Sequence, residues 1–169
     1  AIMSPRRLGG RSFIAANLAI VFSQLGERTL LIDSDLRTPC QHKLFKISSN
    51  AGFSSMLAGR MGTEAIARMS SLPGLYVLPA GAIPPNPQEL IGRPAFAEIL
   101  QSLIRDFDIV ILDTPAANEY AEAQMIAVGA AAALVLARKN RSAFPEILKL
   151  TRSLEQTHTN LVGSVLNDF

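Results

Sequence analysis

Five short apolar runs constrain the fold of this chain more than any other feature. They are "TLLID" at 29–33, "LYVLPAG" at 75–81, "DIVILDTP" at 108–115, "ALVLAR" at 133–138 and "LVGSVLND" at 161–168. None alternates apolar with polar residues. Such runs are what strands show when both faces are covered, as in a parallel sheet packed between helices. The opening "AIMS" reads as the end of another buried strand, so the chain is expected to be a piece of something longer. Between the runs lie helical segments. Residues 12–25 place Leu18, Val21, Phe22 and Leu25 on one predicted helix face, and Gly26 follows as a stop. A second helix is predicted from Pro94 to about Arg105, with proline in its first turn. A third, over 143–157, carries Ile147, Leu150 and Leu154. Strand alternating with helix predicts a three-layer α/β domain with a mostly parallel central sheet flanked by helices. In such folds ligands gather at the carboxyl ends of the strands.

A length of 169 residues suits one domain with a sizeable core, and no boundary, repeat or low-complexity segment divides it. "AVGAAAALVLA" reads as a helix end, a short turn and a strand, and the more polar region 38–70 as short helices capping one side of the sheet. A net charge of +2 is no nucleic-acid footprint. Cys40 is the single cysteine, which excludes an intrachain disulfide and suits a reducing compartment. The longest apolar stretch without a charge, Met125 to Ala137, is 13 residues, short of a membrane span. His42 and His158 lie far apart with no ligand spacing, and no G-x-G-x-x-G follows the first strand.

Three motifs carry the chemistry. "SPRRLGGRS" (4–12) supplies glycines, a cation and Ser12 just ahead of a helix, and Arg6, Arg7 and Arg11 crowd it with positive charge. Glycines let backbone N–H groups converge on phosphate oxygens, and the helix behind presents its positive end to an anion. Against the pattern G-x-x-x-x-G-K-[ST], Gly10 and Ser12 fit, Arg11 replaces lysine, and the first glycine falls on Pro5. "LLIDSDLR" (30–37) ends a strand with Asp33 and Asp35, and "IVILDTP" (109–115) ends another with Asp113, Thr114 and Pro115. One aspartate at a strand end suits a turn. Three, on two strands downstream of a glycine loop, are what a Mg²⁺ site needs. "PPNPQEL" (84–90) reads as a turn with Asn86 capping a helix and Pro87 at its first position.

In this order, together with "PAGAIPPNPQEL" (79–90) and "VLND" (165–168), the motifs resemble the bacterial tyrosine kinases across the whole chain. These are relatives of the ParA/MinD ATPases that work in exopolysaccharide and capsule export. The resemblance implies a P-loop NTPase-like fold, ATP and Mg²⁺ as cofactors, and transfer of phosphate to protein tyrosine. By position, the amides of Gly9, Gly10, Arg11, Ser12 and Phe13 would cradle the phosphates, with the Arg11 side chain over the outer ones. Ser12, Asp33 and Asp113 would hold the metal. Asp35 would serve as base or orienting acid for the tyrosine hydroxyl, and Asn167 would face the adenine. The implied setting is cytoplasmic, at the inner face of the bacterial inner membrane, beside a membrane-bound chain-length determinant (polysaccharide co-polymerase). Homo-oligomers are implied too, with no nucleic-acid partner.

Arg11 and Leu8, which stands where the family usually has glycine, depart from the pattern. Arginine is planar, fork-shaped and always charged, so it is no neutral exchange for lysine. Arg6 falls where ParA/MinD proteins carry a second lysine, and is read here as solvated. The family's autokinases carry a tyrosine-rich tail as phosphate acceptor. This sequence closes on "NDF" with two tyrosines, Tyr76 expected in the core and Tyr120 expected exposed, so the acceptor tail is expected to have been cut off, to lie on another chain or not to exist. Two other readings stay open, a non-catalytic nucleotide-binding module regulating the export machinery and a ParA/MinD-like ATPase.

Overall fold

The computed structural model describes residues 1–7, 9–130 and 132–168. In chain order its elements are β1 (Ile2–Met3), α1 (Arg11–Gln24), β2 (Thr29–Asp33), α2 (Gln41–Leu44), α3 (Phe53–Leu57), β3 (Ala67–Arg68), β4 (Leu75–Leu78), α4 (Pro87–Ile91), α5 (Pro94–Asp106), β5 (Ile109–Asp113), α6 (Glu122–Ala130), β6 (Ala132–Arg138), α7 (Phe144–Gln156) and β7 (Asn160–Asn167). The strands form one sheet in the order β3-β4-β2-β5-β1-β6-β7. Every pairing is parallel except β3 with β4. The predicted three-layer α/β fold is what the chain adopts.

The unbroken apolar runs of the inner strands follow from burial on both faces, whereas β7, at the edge of the sheet, does not share that burial: its Val162 and Leu166 are 62% and 68% exposed. In β2 all five residues are buried. Leu30 and Ile32 pack with Phe53, Leu90, Leu100 and Leu103 on the face covered by α3, α4 and α5. Leu31 points the other way, to Ala15, Ala16 and Ala19 of α1. Beyond β1, α6 and α7 cover Met3, Ala133 and Val135. Each leucine or isoleucine so enclosed contributes on the order of 1.5–3 kcal/mol of hydrophobic stabilisation.

Two expectations are corrected. The buried face of α1 is the alanine face, while Val21 and Leu25 are 51% and 72% exposed. Small side chains at 15, 16 and 19 let the helix lie close on the sheet; Leu18 and Phe22 of the expected face pack at the margin of that contact, while Val21 and Leu25 turn outward. Second, the region read as short helices alone also contains β3, whose Ala67 and Arg68 pair with Val77 and Tyr76. Pro87 does begin a helix after Asn86, although the Asn86 amide bonds Glu89 rather than the helix amides.

The topology places the site. β1 lies between β5 and β6, and β2 lies beyond β5. The loops leaving β1, β2 and β5 therefore emerge side by side, and Asp33 and Asp113 are direct cross-strand partners at the ends of their strands.

Candidate functional site

The loop after β1 turns into α1 through Gly10, which has φ +83° and caps the helix with no side-chain hydrogen bond. A Cβ there would sit 2.3 Å from the Asn167 amide nitrogen, and one at Gly9 would sit 2.6 Å from Ser4 Oγ. Both positions thus require glycine. The first amides of α1 have no capping side chain and no acid in the first turn, which leaves a positive helix end toward the cleft. That cleft, about 560 Å³, is lined by Arg7, Gly10, Ser12, Phe13, Asp35 and Thr38 among others. The Phe13 side chain is exposed. Asn167 is buried, and its Nδ2 donates to the Gly9 carbonyl at 3.4 Å. Leu8 lies outside the described residues.

Arg11 is 7% exposed and turned into the loop. Its Nε donates to the Thr114 carbonyl at 2.8 Å, and Nη1 donates to Ser4 Oγ at 2.5 Å and to the Arg6 carbonyl at 2.8 Å. Nη2 faces Asp35 Oδ2 at 3.8 Å. Of five N–H donors, these three bonds leave the two Nη2 hydrogens, on the side facing Asp35, for a phosphate. Arg6, expected to be solvated, is instead paired with Glu146 of α7 while its side chain stays largely exposed. Arg7 reaches Glu119 and the Tyr120 hydroxyl. Tyr120 is half-buried, with the Arg37 guanidinium 4.3 Å from its ring centre. Tyr76 is half-buried, edge-on to Phe107 at 5.1 Å.

The acids differ in their partners. Asp35 is satisfied locally: Oδ1 accepts from the amides of Arg37 and Thr38 at 3.1 and 2.9 Å, and Oδ2 from Thr38 Oγ1 at 3.0 Å. Asp33 Oδ2 accepts from the amides of Cys40 and Gln41, whereas Oδ1 has no partner. Asp113 Oδ2 accepts from Gln41 Nε2 at 2.8 Å, and again Oδ1 has none. Both carboxyls are fully buried. Burial first, then the charge of Asp113, pushes the Asp33 carboxyl well above its usual range, against the pull of two backbone amides. Burial raises Asp113 less, because hydrogen bonds from Ser12 and Gln41 and the charge of Arg11 oppose it.

Gln41 escaped the sequence reading. It is fully buried, and beyond its contacts with both acids its Nε2 donates to the Ser12 carbonyl at 3.0 Å. A glutamine opening a four-residue helix has no distinguishing pattern, and its partners lie 29 and 72 positions away. Ser4 was likewise missed as the bracket for Arg11.

These residues fit a hydrated Mg²⁺ with a nucleotide phosphate. Two buried carboxylates each keep an oxygen unpaired and repel one another, and a cation relieves both conditions. Mg²⁺ binds through one or two carboxylates plus waters and phosphate oxygens. No ready-made cage of three or more acids, histidines or cysteines exists among the described residues, and a phosphate-dependent site needs none.

Fold and site together define a P-loop nucleotide-binding domain. Residues 6–165 match the family model of the cellulose biosynthesis protein BcsQ. The tyrosine-protein kinase YwqD of Bacillus subtilis is 34% identical over 94% of this chain and 67% of its own length. The tyrosine-protein kinase Ptk of Acinetobacter johnsonii is 34% identical over 99% of this chain, which spans 23% of that protein. The kinase domain of the Escherichia coli tyrosine kinase Etk superposes with a TM-score of 0.93 at 31% identity, over 98% of this chain and 65% of that one. MinD of Pyrococcus horikoshii, complexed with Mg-ADP, shares the fold at a TM-score of 0.85 and 22% identity, over 99% of this chain and 69% of that one. The chain belongs to the bacterial tyrosine-kinase family of MinD-like P-loop proteins.

Proposed function

We propose that residues 1–169 form an ATP-dependent protein-tyrosine kinase domain that regulates exopolysaccharide or capsule chain length and export. The observation that carries this reading is the buried Asp33–Asp113 pair, with one oxygen unpartnered on each, tied through Gln41 to the uncapped start of α1. The tyrosine-kinase names of YwqD, Ptk and Etk support the reaction, and the BcsQ match supports a polysaccharide setting.

In this reading the amides of residues 9–13 cradle the phosphates, and Arg11 adds charge through its two remaining Nη2 hydrogens while fixing the loop. Ser12, Asp33 and Asp113 hold the metal. Asp35, kept in place by Arg11 and Thr38, orients the tyrosine hydroxyl and receives its proton. Asn167 braces the glycine turn at the adenine side. Mg-ATP, when bound, supplies the phosphoryl group and the cation that neutralises the two acids. The domain works at the cytoplasmic face of the inner membrane with a membrane-bound co-polymerase and further copies of itself. No helix among the described residues is long and apolar enough to cross a membrane.

The test is incubation with radiolabelled ATP, Mg²⁺ and a Glu/Tyr polymer, scoring phosphotyrosine beside free phosphate. Phosphotyrosine from the chain, falling at least about a hundredfold in Asp113→Asn, is expected. Free phosphate without phosphotyrosine would make it an ATPase. One observation favours a second reading, the regulatory module: Arg11 spends three of its five donors within the protein, on Ser4 and the Arg6 carbonyl of its own loop and on the Thr114 carbonyl. Nucleotide binding with no turnover at all would establish that module.

A further inference from the structure

We propose that Gln41 is a positioning residue for the divalent cation, joining the three motifs and presenting an acceptor to the metal's water shell. The inference rests on the nucleotide site proposed above. Three contacts carry it. The Gln41 amide N–H donates to Asp33 Oδ2 at 2.9 Å, and Nε2 donates to the Ser12 carbonyl at 3.0 Å and to Asp113 Oδ2 at 2.8 Å. One residue thereby fixes a carboxylate of β2, a carboxylate of β5 and the first turn of α1.

The orientation of the side-chain amide follows from its partners. Both contacts of Nε2 are acceptors, so the reversed amide would set Oε1 against two oxygens. Oε1 is then left buried with no donor. Asp33 Oδ1 and Asp113 Oδ1 are in the same condition. Three acceptors of one hydrogen-bonded cluster therefore lack donors, although buried polar atoms are nearly always paired. A hydrated Mg²⁺ meets that need, because it bonds carboxylates directly and its retained waters donate hydrogen bonds. The two bonds from Nε2 account for a structural brace, but they leave the carbonyl oxygen buried and unmet, and it is that oxygen which a donor from the metal's water shell would satisfy.

The test titrates Mn²⁺, followed by electron paramagnetic resonance, into the chain with bound ADP. It is run on the unsubstituted chain and on Gln41→Met, with Gln41→Asn as a second variant that keeps the amide but shortens it. Melting curves establish that each variant is folded, and ADP binding is measured separately without metal. The expected result is a 10- to 100-fold loss of Mn²⁺ affinity, with metal-free ADP affinity within about twofold of the original. Unchanged Mn²⁺ affinity in a folded variant would overturn the proposal. So would an equal loss of metal-free ADP binding, which would make Gln41 a brace for the loop alone. If the unsubstituted chain binds no Mn²⁺ beside ADP, the nucleotide site itself is refuted, and this inference with it.

Discussion

Asp33 shows how far a single residue departs from its solution behaviour. Its carboxyl is pushed up to about 8, first by burial and then by Asp113. The folded chain therefore binds more protons than the unfolded chain between roughly pH 4 and pH 8, so stability contributed at low pH is lost as pH rises through that window. Without metal, the melting temperature should fall across this range. Asp33→Asn should remove most of that fall, and at pH 8 should raise Tm by about 2–4 °C for each kcal/mol of repulsion relieved. Parallel pH profiles for the two proteins would count against the buried acid pair. Adding Mg²⁺ with nucleotide should lift the alkaline end of the parent's profile and leave that of Asp33→Asn nearly unmoved.

At the scale of elements, α1 sets the distance between the loop and the sheet. Its contact face is Ala15, Ala16 and Ala19, and its bulkier Val21 and Leu25 face outward. Ala19→Leu should cost about 1–3 kcal/mol by overpacking, whereas Leu25→Gln should change stability by less than about 0.5 kcal/mol. Urea denaturation checks both, and the reverse order would mean that the larger residues form the buried stripe. The same helix marks a limit of legibility. Apolar spacing located it to within a residue at each end, yet put Val21 and Leu25 among the buried residues along with Leu18 and Phe22 and passed over the alanines, since sequence alone does not reveal how closely a helix approaches a sheet. β2, β5 and β6 were readable because double-sided burial leaves an unbroken apolar run. β3 was not, being two residues long and paired only through its backbone to β4.

On the scale of the whole molecule, strand order does what no local pattern does. With β5 between β1 and β2, the glycine loop, Asp33 and Asp113 meet at the carboxyl end of the sheet's central strands although they are far apart in the chain. The motifs themselves were legible in the sequence, because glycine turns and strand-end acids are local signals. The contacts that organise it were not local: Arg11 to Thr114 spans 103 positions and Gln41 to Asp113 spans 72. The central claim is that these pieces assemble one Mg²⁺-dependent nucleotide site. Calorimetric titration with ATP, with and without Mg²⁺, on the parent and on Asp113→Asn, tests it most directly. The account predicts binding that tightens with Mg²⁺ in the parent and does not respond to Mg²⁺ in the variant. Binding equally sensitive to Mg²⁺ in both, or none at millimolar ATP, would contradict it.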